Sequence, residues 1–132
     1  MQIPPSSRKR PILVTGFEPF DGMDANHSWD IARAIAKEMG AEEAICKLLS
    51  VDEEGSKISS RAIKLGEYSG VLQLGIAMDR KRVCIEIVAK NKYDIGRIDN
   101  SGRILSMEKI VHGAPDNIAT TLSRHVIDEC IE

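Results

Sequence analysis

A single carboxylate inside an apolar run is the side chain of this sequence with the clearest chemical potential. Glu86 lies within Val83–Ala89, where burial would disfavour its charged form unless a partner compensates for the lost water. It is therefore predicted to serve in a functional site, to lie on the solvent side of an edge strand, or to be tied to Arg80 or Arg82.

The cysteines and histidines form no recognisable catalytic or metal pattern. Cys46, Cys84 and Cys130 are an odd number without C-x-x-C spacing, which indicates reduced thiols of a cytoplasmic protein. None of them follows a sharp loop, so buried structural thiols are expected rather than a nucleophile. His125 and Cys130 would lie on poorly aligned faces of one helix, and no metal site is predicted.

Both phenylalanines of the chain lie in one loop. Phe17 and Phe20 belong to Thr15–Gly22, between the apolar run Ile12–Val14 and the helix start at Asn26–Trp29. In an open α/β sheet, a strand followed by an abrupt loop and a helix presents a ligand-facing turn. The two rings are predicted either to frame a binding pocket or only to plug the end of the sheet.

Hydrophobic periodicity predicts an α/β alternation that would position these residues. Strands are predicted at 11–15, 44–50, 70–74 and 83–89, with helices from Ser28 to Gly40, from 52 or 53 to 65, and after Ser123. Gly75 begins a second loop at the end of a strand. The polar stretch 91–117 is predicted to be an extended, functional excursion that includes one short hairpin.

Composition excludes several function classes. A net charge of −2 leaves no electrostatic footprint for nucleic acid, and the basic cluster Arg8–Arg10 precedes no apolar run that suits a membrane or a signal peptide. Neither phosphate-binding glycine pattern occurs, so no nucleotide cofactor is expected. The length of 132 residues suits one domain, predicted at 11–132 behind a flexible tail at 1–10.

Several stretches resemble, in the same order, motifs of the type I pyroglutamyl peptidases, also called pyrrolidone-carboxylate peptidases. The opening loop is similar to T-G-F-E-P-F-G-G followed by N-P-S-W, with Asp21 replacing a glycine and His27 replacing a proline. Leu74–Arg80 is similar to a strand-end turn of that family. Ile85–Asn91 resembles its I-E-R-I-A-V-N, which carries the catalytic glutamate.

The resemblance continues through the polar excursion. The pattern N-x-x-D…D-N-x-G and the later G-A-P of Gly113–Pro115 are both matched, the former by Asn91, Asp94, Asp99, Asn100 and Gly102. Agreement covers most of residues 11–122. Each motif alone is weak, but the ordered set at these intervals is specific.

The resemblance implies a phosphorylase/hydrolase-like α/β/α sandwich with a twisted mixed sheet. It also implies a cysteine peptidase with a Cys-His-Glu triad that removes N-terminal pyroglutamate from peptides, needs no cofactor and is usually a homotetramer. Glu86 would orient the histidine. The implied substrate-binding residues are Phe17, Phe20, Asn26, Gly75, Ile76 and Arg80, and Asn91 and Asp94 would support them.

The motifs that carry the nucleophile and the base of that family find no match here. The patterns S-x-x-A-G-x-x-x-C-N and H-x-P are absent, and neither Cys130 nor His125 stands in such a context. We therefore expect the N-terminal portion of such a domain, incomplete at its C-terminal end and inactive alone. It would form a homo-oligomer or take a complementing C-terminal segment. The alternative is a non-catalytic α/β module that binds a small ligand or a protein, which Asp21 and His27 favour.

Overall fold

A computed structural model describes residues 9–93, 99–102 and 108–131. Contacts divide these residues into a first unit, residues 9–78 with 99–102, and a second unit, residues 79–93 with 108–131. Asp94, one of the predicted supporting residues, lies outside the described ranges. None of the helices described is both long and apolar enough to cross a membrane.

The first unit alternates strands and helices in the predicted order. Its elements are β1 (Ile12–Phe17), α1 (His27–Met39), β2 (Ala44–Leu49), α2 (Glu53–Lys64) and β3 (Gly70–Gln73). The three strands form a parallel sheet in the order β2-β1-β3, with Ile12 opposite both Ala44 and Gly70. Because β1 is central, Leu13 and Val14 have no exposed surface, as expected for a strand that is covered on both faces.

The two long helices cover opposite faces of this sheet. Leu13 packs with Ala62 of α2 and with Tyr68, whereas its neighbour Val14 packs with Ala32 of α1. Successive residues of a strand point to opposite faces, so α1 and α2 form separate layers. The α/β class and the α/β/α layering are thereby confirmed.

Helix α1 begins at a different cap from the one predicted. Asn26 is the N-cap, and its Oδ1 accepts a hydrogen bond from the backbone N–H of Ser28. The prediction of Ser28 as the cap is wrong because that hydroxyl instead accepts the N–H of Phe17, 2.9 Å away. Gly40, with φ of 91°, ends the helix as predicted.

Helix α2 begins and ends where the sequence predicts. Asp52 Oδ1 accepts the N–H of Gly55, and Gly66 follows the C-cap residue with φ of 70°. Gly55, which weakens the helix pattern in the sequence, has a packing role. A Cβ atom at that position would lie 1.9 Å from the carbonyl oxygen of Ser50, so only glycine allows α2 to approach the end of β2.

The second unit contains a short antiparallel ladder and one helix. Strands β4 (Val88–Lys90) and β5 (Asn117–Ala119) pair with Val88 opposite Ala119, and α3 (Arg124–Cys130) begins after the predicted cap Ser123. The predicted strand 83–89 is wrong for residues 83–87, which form no regular element. Strand propensity depends on a paired neighbour. The ladder with β5 begins at Val88, preceded by a hydrogen bond from the N–H of Thr120 to the carbonyl of Ile87 at 2.8 Å.

The prediction of buried thiols is also wrong for two of the three cysteines. Cys84 and Cys130 are exposed, whereas Cys46 on β2 is half-buried. Cys84 lies in the irregular segment 83–87, and only Ile127 is buried on α3. An apolar sequence run therefore did not indicate burial at these positions.

Candidate functional site

The connection between β1 and α1, residues 17–26, carries both phenylalanines and is called the aromatic loop below. It lies at the carboxyl end of the central strand, as predicted. Phe17 ends β1 and is half-buried, as is Phe20 three residues later. The N–H of Phe17 donates to Ser28 Oγ at 2.9 Å, and the N–H of Met23 donates to the carbonyl of Phe20 at 3.1 Å. Both rings therefore belong to a hydrogen-bonded loop rather than to a loose connection.

Asn26 connects the two ends of this loop. Asn26 is only 5% exposed, and its Nδ2 donates to the carbonyl of Glu18 at 3.1 Å. Its Oδ1 accepts from the backbone N–H of Ser28 at 3.1 Å and from Ser28 Oγ at 2.7 Å. The predicted substrate-binding role of Asn26 stays a prediction, and its observed hydrogen bonds hold the loop in shape.

A close backbone approach brings the start of α1 against the same strand end. A Cβ atom at Gly16 would lie 2.6 Å from Trp29 Cα and 2.7 Å from the carbonyl carbon of Ser28. Glycine at this position therefore permits the helix to begin directly beside β1. Trp29, the single tryptophan of the chain, is thereby placed next to the aromatic loop.

A small cleft opens between the loop and the first turn of α1. It has a volume of about 210 Å³, below the range typical of drug-sized ligands, and suits a small ring or side chain. It is lined by Phe17, Glu18, Pro19, Asp24, Ala25, Asn26, Trp29, Asp30 and Leu48. Hydrogen bonds from Arg33 and then His27 lower the pKa of Asp30 below its ordinary value, so this carboxylate of the cleft stays charged.

The second strand-end loop lies beside the first. The N–H of Leu74 donates to the carbonyl of Thr15 at 2.9 Å, immediately after β3. A Cβ atom at Gly75 would lie 4.0 Å from Phe17 Cε2, so the Gly75 backbone adjoins the Phe17 ring. Ile76 follows and is half-buried. The structure therefore brings Gly75 and Phe17 together, two residues that the sequence predicts for one site.

Arg80 and Glu86 meet in the second unit. Arg80 Nη1 donates to Glu86 Oε1, so the ion pair with an arginine that the sequence offers as one alternative for Glu86 is formed with Arg80. The hydrogen bond from Glu86 and its charge, with a smaller contribution from Cys84, raise the pKa of the Arg80 guanidinium. Because the Glu86 side chain is 68% exposed, the pair adds little stability and leaves the carboxylate open to a further partner.

Asn91 holds a turn of the second unit. Its Oδ1 accepts from the N–H of Val111 at 2.9 Å, and its Nδ2 donates to the carbonyls of Val111 at 2.8 Å and Ala114 at 3.3 Å. The turn includes Gly113, whose φ is 82°. The supporting role of Asn91 in the site remains a prediction.

Sequence reasoning missed one contact of the aromatic loop. Asn100 Nδ2 donates to Glu18 Oε1 at 2.8 Å, across a sequence separation of 82 residues. The sequence predicts only a turn at Asp99–Gly102, because local patterns do not predict contacts between residues so far apart in the chain. Over the ranges that the structure describes, no group of three His, Cys, Asp or Glu side chains could hold a metal ion.

Comparison with known proteins points to one family. A sequence model described as pyroglutamyl peptidase matches residues 10–131. The pyrrolidone-carboxylate peptidase of Thermococcus onnurineus is 36% identical over 112 residues, which are 84% of this chain and 56% of that protein. The corresponding protein of Aliivibrio fischeri is 34% identical over 113 residues, which are 84% of this chain and 53% of that one.

Solved structures agree with the sequence matches. The pyrrolidone carboxyl peptidase of Fervidobacterium islandicum superposes with a TM-score of 0.81 at 26% identity, over 93% of this chain and 60% of that one. The pyrrolidone carboxyl peptidase of Thermus thermophilus gives a TM-score of 0.78 at 31% identity, over 90% of this chain and 62% of that one.

This chain therefore shares its α/β/α fold with the solved pyrrolidone carboxyl peptidases. The chain belongs to the pyroglutamyl peptidase family. It spans about half the length of the curated relatives that it matches.

Proposed function

We propose that this chain supplies the pyroglutamate-binding and histidine-orienting part of a cysteine-type omega peptidase, which removes N-terminal pyroglutamate from peptides. The observation that carries the proposal is the aromatic loop at the end of β1, with the Gly75 backbone beside the Phe17 ring. Family membership supports the identity of the substrate. Residues 11–132 would form the N-terminal part of a single domain of this kind, and most of the tail predicted at 1–10 lies outside the described residues.

The proposed binding of the pyroglutamyl ring follows from its chemistry. The ring is flat, with apolar faces and an amide edge, so Phe17 and Phe20 would contact its faces. The backbone of Gly75 and Ile76 would exchange hydrogen bonds with the lactam edge. Asn26 would keep the loop in the shape that holds both rings, through its bonds to Glu18 and Ser28.

The proposed reaction requires a thiolate and a histidine in addition to the residues described. The histidine takes the proton of the thiol, and the thiolate attacks the carbonyl carbon of the pyroglutamyl peptide bond. The C–N bond breaks as the histidine gives that proton to the leaving amine, and water then hydrolyses the thioester to release pyroglutamate and restore the thiol. Glu86 would orient that histidine, and Arg80 would stabilise the thiolate or the oxyanion. No cofactor or metal takes part.

A complementing C-terminal segment or another chain would bring the nucleophile and the base, because Cys130 and His125 do not stand in the family's motifs. The chain alone would then be inactive. The assembled protein would be a cytoplasmic homo-oligomer or a complex with that segment.

Complementation tests this proposal. Co-expression with a family segment that carries A-G-x-x-x-C-N and H-x-P should restore release of coumarin from a pyroglutamyl-coumarin substrate. Glu86→Gln should lower kcat by about a hundredfold or more, because the histidine loses its charged partner. Cys130→Ser, which changes an exposed thiol without a proposed catalytic role, should retain the activity.

The outcome distinguishes two functions. No release by a complex that is shown to be folded and assembled would overturn the peptidase proposal. If that complex still bound a pyrrolidone ligand, the chain would be a non-catalytic small-ligand module. The observation that favours this second candidate is Asp21, which adopts φ of 52° where the resembling motif has glycine and adds a carboxylate to the loop.

A further inference from the structure

The segment 99–102 is held against a loop of the first unit. The N–H of Asn100 donates to the carbonyl of Val51 at 2.9 Å, and Ser101 Oγ donates to Asp52 Oδ2 at 3.1 Å. Val51 and Asp52 connect β2 to α2. The four-residue turn is therefore anchored at the edge of the sheet where the strands have their carboxyl ends.

The Asn100 side chain extends from this anchored turn to the aromatic loop. Its Nδ2 donates to Glu18 Oε1 at 2.8 Å and to the carbonyl of Pro19 at 3.2 Å. Glu18 and Pro19 are the two residues between Phe17 and Phe20. One amide group therefore contacts both residues that separate the two rings, and one of its acceptors is charged, which strengthens the bond.

Among the described residues, the other hydrogen bonds of Glu18 involve its main chain and not its side chain. The N–H of Glu18 donates to the carbonyl of Leu49 at 3.0 Å, and its carbonyl accepts from Asn26 Nδ2 at 3.1 Å. These bonds fix the loop where it leaves β1. Asn100 adds a second point of attachment one peptide further on, at Pro19, before the chain reaches Phe20.

We infer that Asn100 is a positioning residue that sets the spacing of Phe17 and Phe20 for the pyroglutamyl ring. The inference rests on the proposed function for the identity of the ligand. Asn100 acts through Glu18 and Pro19 and need not touch the ligand. Ordering the loop before the ligand arrives lowers the entropy cost of binding, so the effect of Asn100 falls on affinity.

An isosteric variant and its reciprocal partner test the inference in the full chain. Asn100→Asp keeps the side-chain shape but replaces the donor with a carboxylate that faces Glu18. It should weaken the binding of pyroglutamyl-alanine by about tenfold, measured through the fluorescence of Trp29. Adding Glu18→Gln to Asn100→Asp exchanges donor and acceptor and should recover most of the lost affinity. Asn117→Asp, the same change at an exposed residue of β5, should bind like wild type.

Hydrogen exchange on the unliganded proteins separates this inference from the proposed function. Asn100→Asp should speed exchange at the amides of Glu18 and Met23 by about tenfold, whereas Asn117→Asp should not. Unchanged exchange, or undiminished affinity in Asn100→Asp, would overturn the positioning role. Wild-type protein that fails to bind pyroglutamyl-alanine would instead contradict the proposed function, and exchange alone would then decide the role of Asn100.

Discussion

Asn26 shows how one buried amide can organise a binding loop. Its three hydrogen bonds reach Glu18 at the start of the aromatic loop and Ser28 in the first turn of α1. The loop returns to within hydrogen-bond distance of its own start because this side chain donates in one direction and accepts in the other. A carboxylate cap could satisfy only the accepting half.

Replacement of Asn26 should therefore separate helix capping from loop closure. Asn26→Ala should lower the free energy of unfolding by about 1–3 kcal/mol, because it removes the cap and leaves buried groups unpaired. Asn26→Asp retains the acceptor but loses the bond to Glu18, so its cost should be intermediate. Urea titration followed by Trp29 fluorescence measures both, and equal stability of the two variants would contradict the separate roles.

The contacts between elements depend on two glycines whose neighbours are backbone atoms. Gly16 admits the first turn of α1 to the end of β1, and Gly55 admits the start of α2 to the end of β2. Both approaches occur at the carboxyl ends of strands, where α/β folds place their ligand-binding loops. The spacing of strand and helix at the cleft is therefore set by the absence of a side chain.

A methyl group at Gly16 should disrupt this spacing. Gly16→Ala should lower the free energy of unfolding by about 2–4 kcal/mol, since the backbone atoms 2.6–2.7 Å from the new Cβ cannot move without shifting α1. Gly70→Ala on β3 is the matched control, because its nearest neighbour would be the Ile12 Cγ2 atom at 3.9 Å. Equal urea midpoints for the two variants would refute the close-packing argument.

Across the described residues, large apolar side chains remain open to water. Leu65 is 73% exposed, Met78 is 70% exposed and Val83 is 99% exposed. Scattered apolar residues are ordinary on protein surfaces, but large apolar side chains with 70% or more of their surface exposed favour association with other apolar surface. Their presence agrees with the expectation of an oligomer or a complementing segment, which remains a proposal.

The purified chain should therefore self-associate and bind a hydrophobic dye. Sedimentation velocity over an about hundredfold range of concentration should show growth in mass, and anilinonaphthalene sulfonate should fluoresce in its presence. Val83→Lys should reduce dye binding, whereas Thr121→Lys, a change at an exposed polar residue, should not. A monomer throughout the range, without dye binding, would contradict this prediction.

Local patterns were sufficient for much of the fold and for the family. The strand–helix alternation, the caps Asp52 and Ser123 and the terminator Gly66 follow from the residues at each position and their near neighbours. The motifs around Phe17 and Glu86 pointed to the pyroglutamyl peptidases because they occur in order at matching intervals, and the comparisons confirm that family. The ion pair of Glu86 with a nearby arginine was likewise within reach of sequence reasoning.

Only the tertiary structure decided the features that depend on distant partners. Residues 83–87 have the composition of a strand but belong to no strand ladder among the described residues, and the Ser28 hydroxyl accepts from Phe17 rather than capping its own helix. The hydrogen bond from Asn100 to Glu18 joins residues 82 positions apart, so local propensity could not predict it. The sequence by itself thus determined which loop carries the two rings, and the tertiary contacts decided how that loop is held. The physical reason is that a hydrogen bond depends on proximity in space, whereas propensity and motif spacing depend on proximity along the chain.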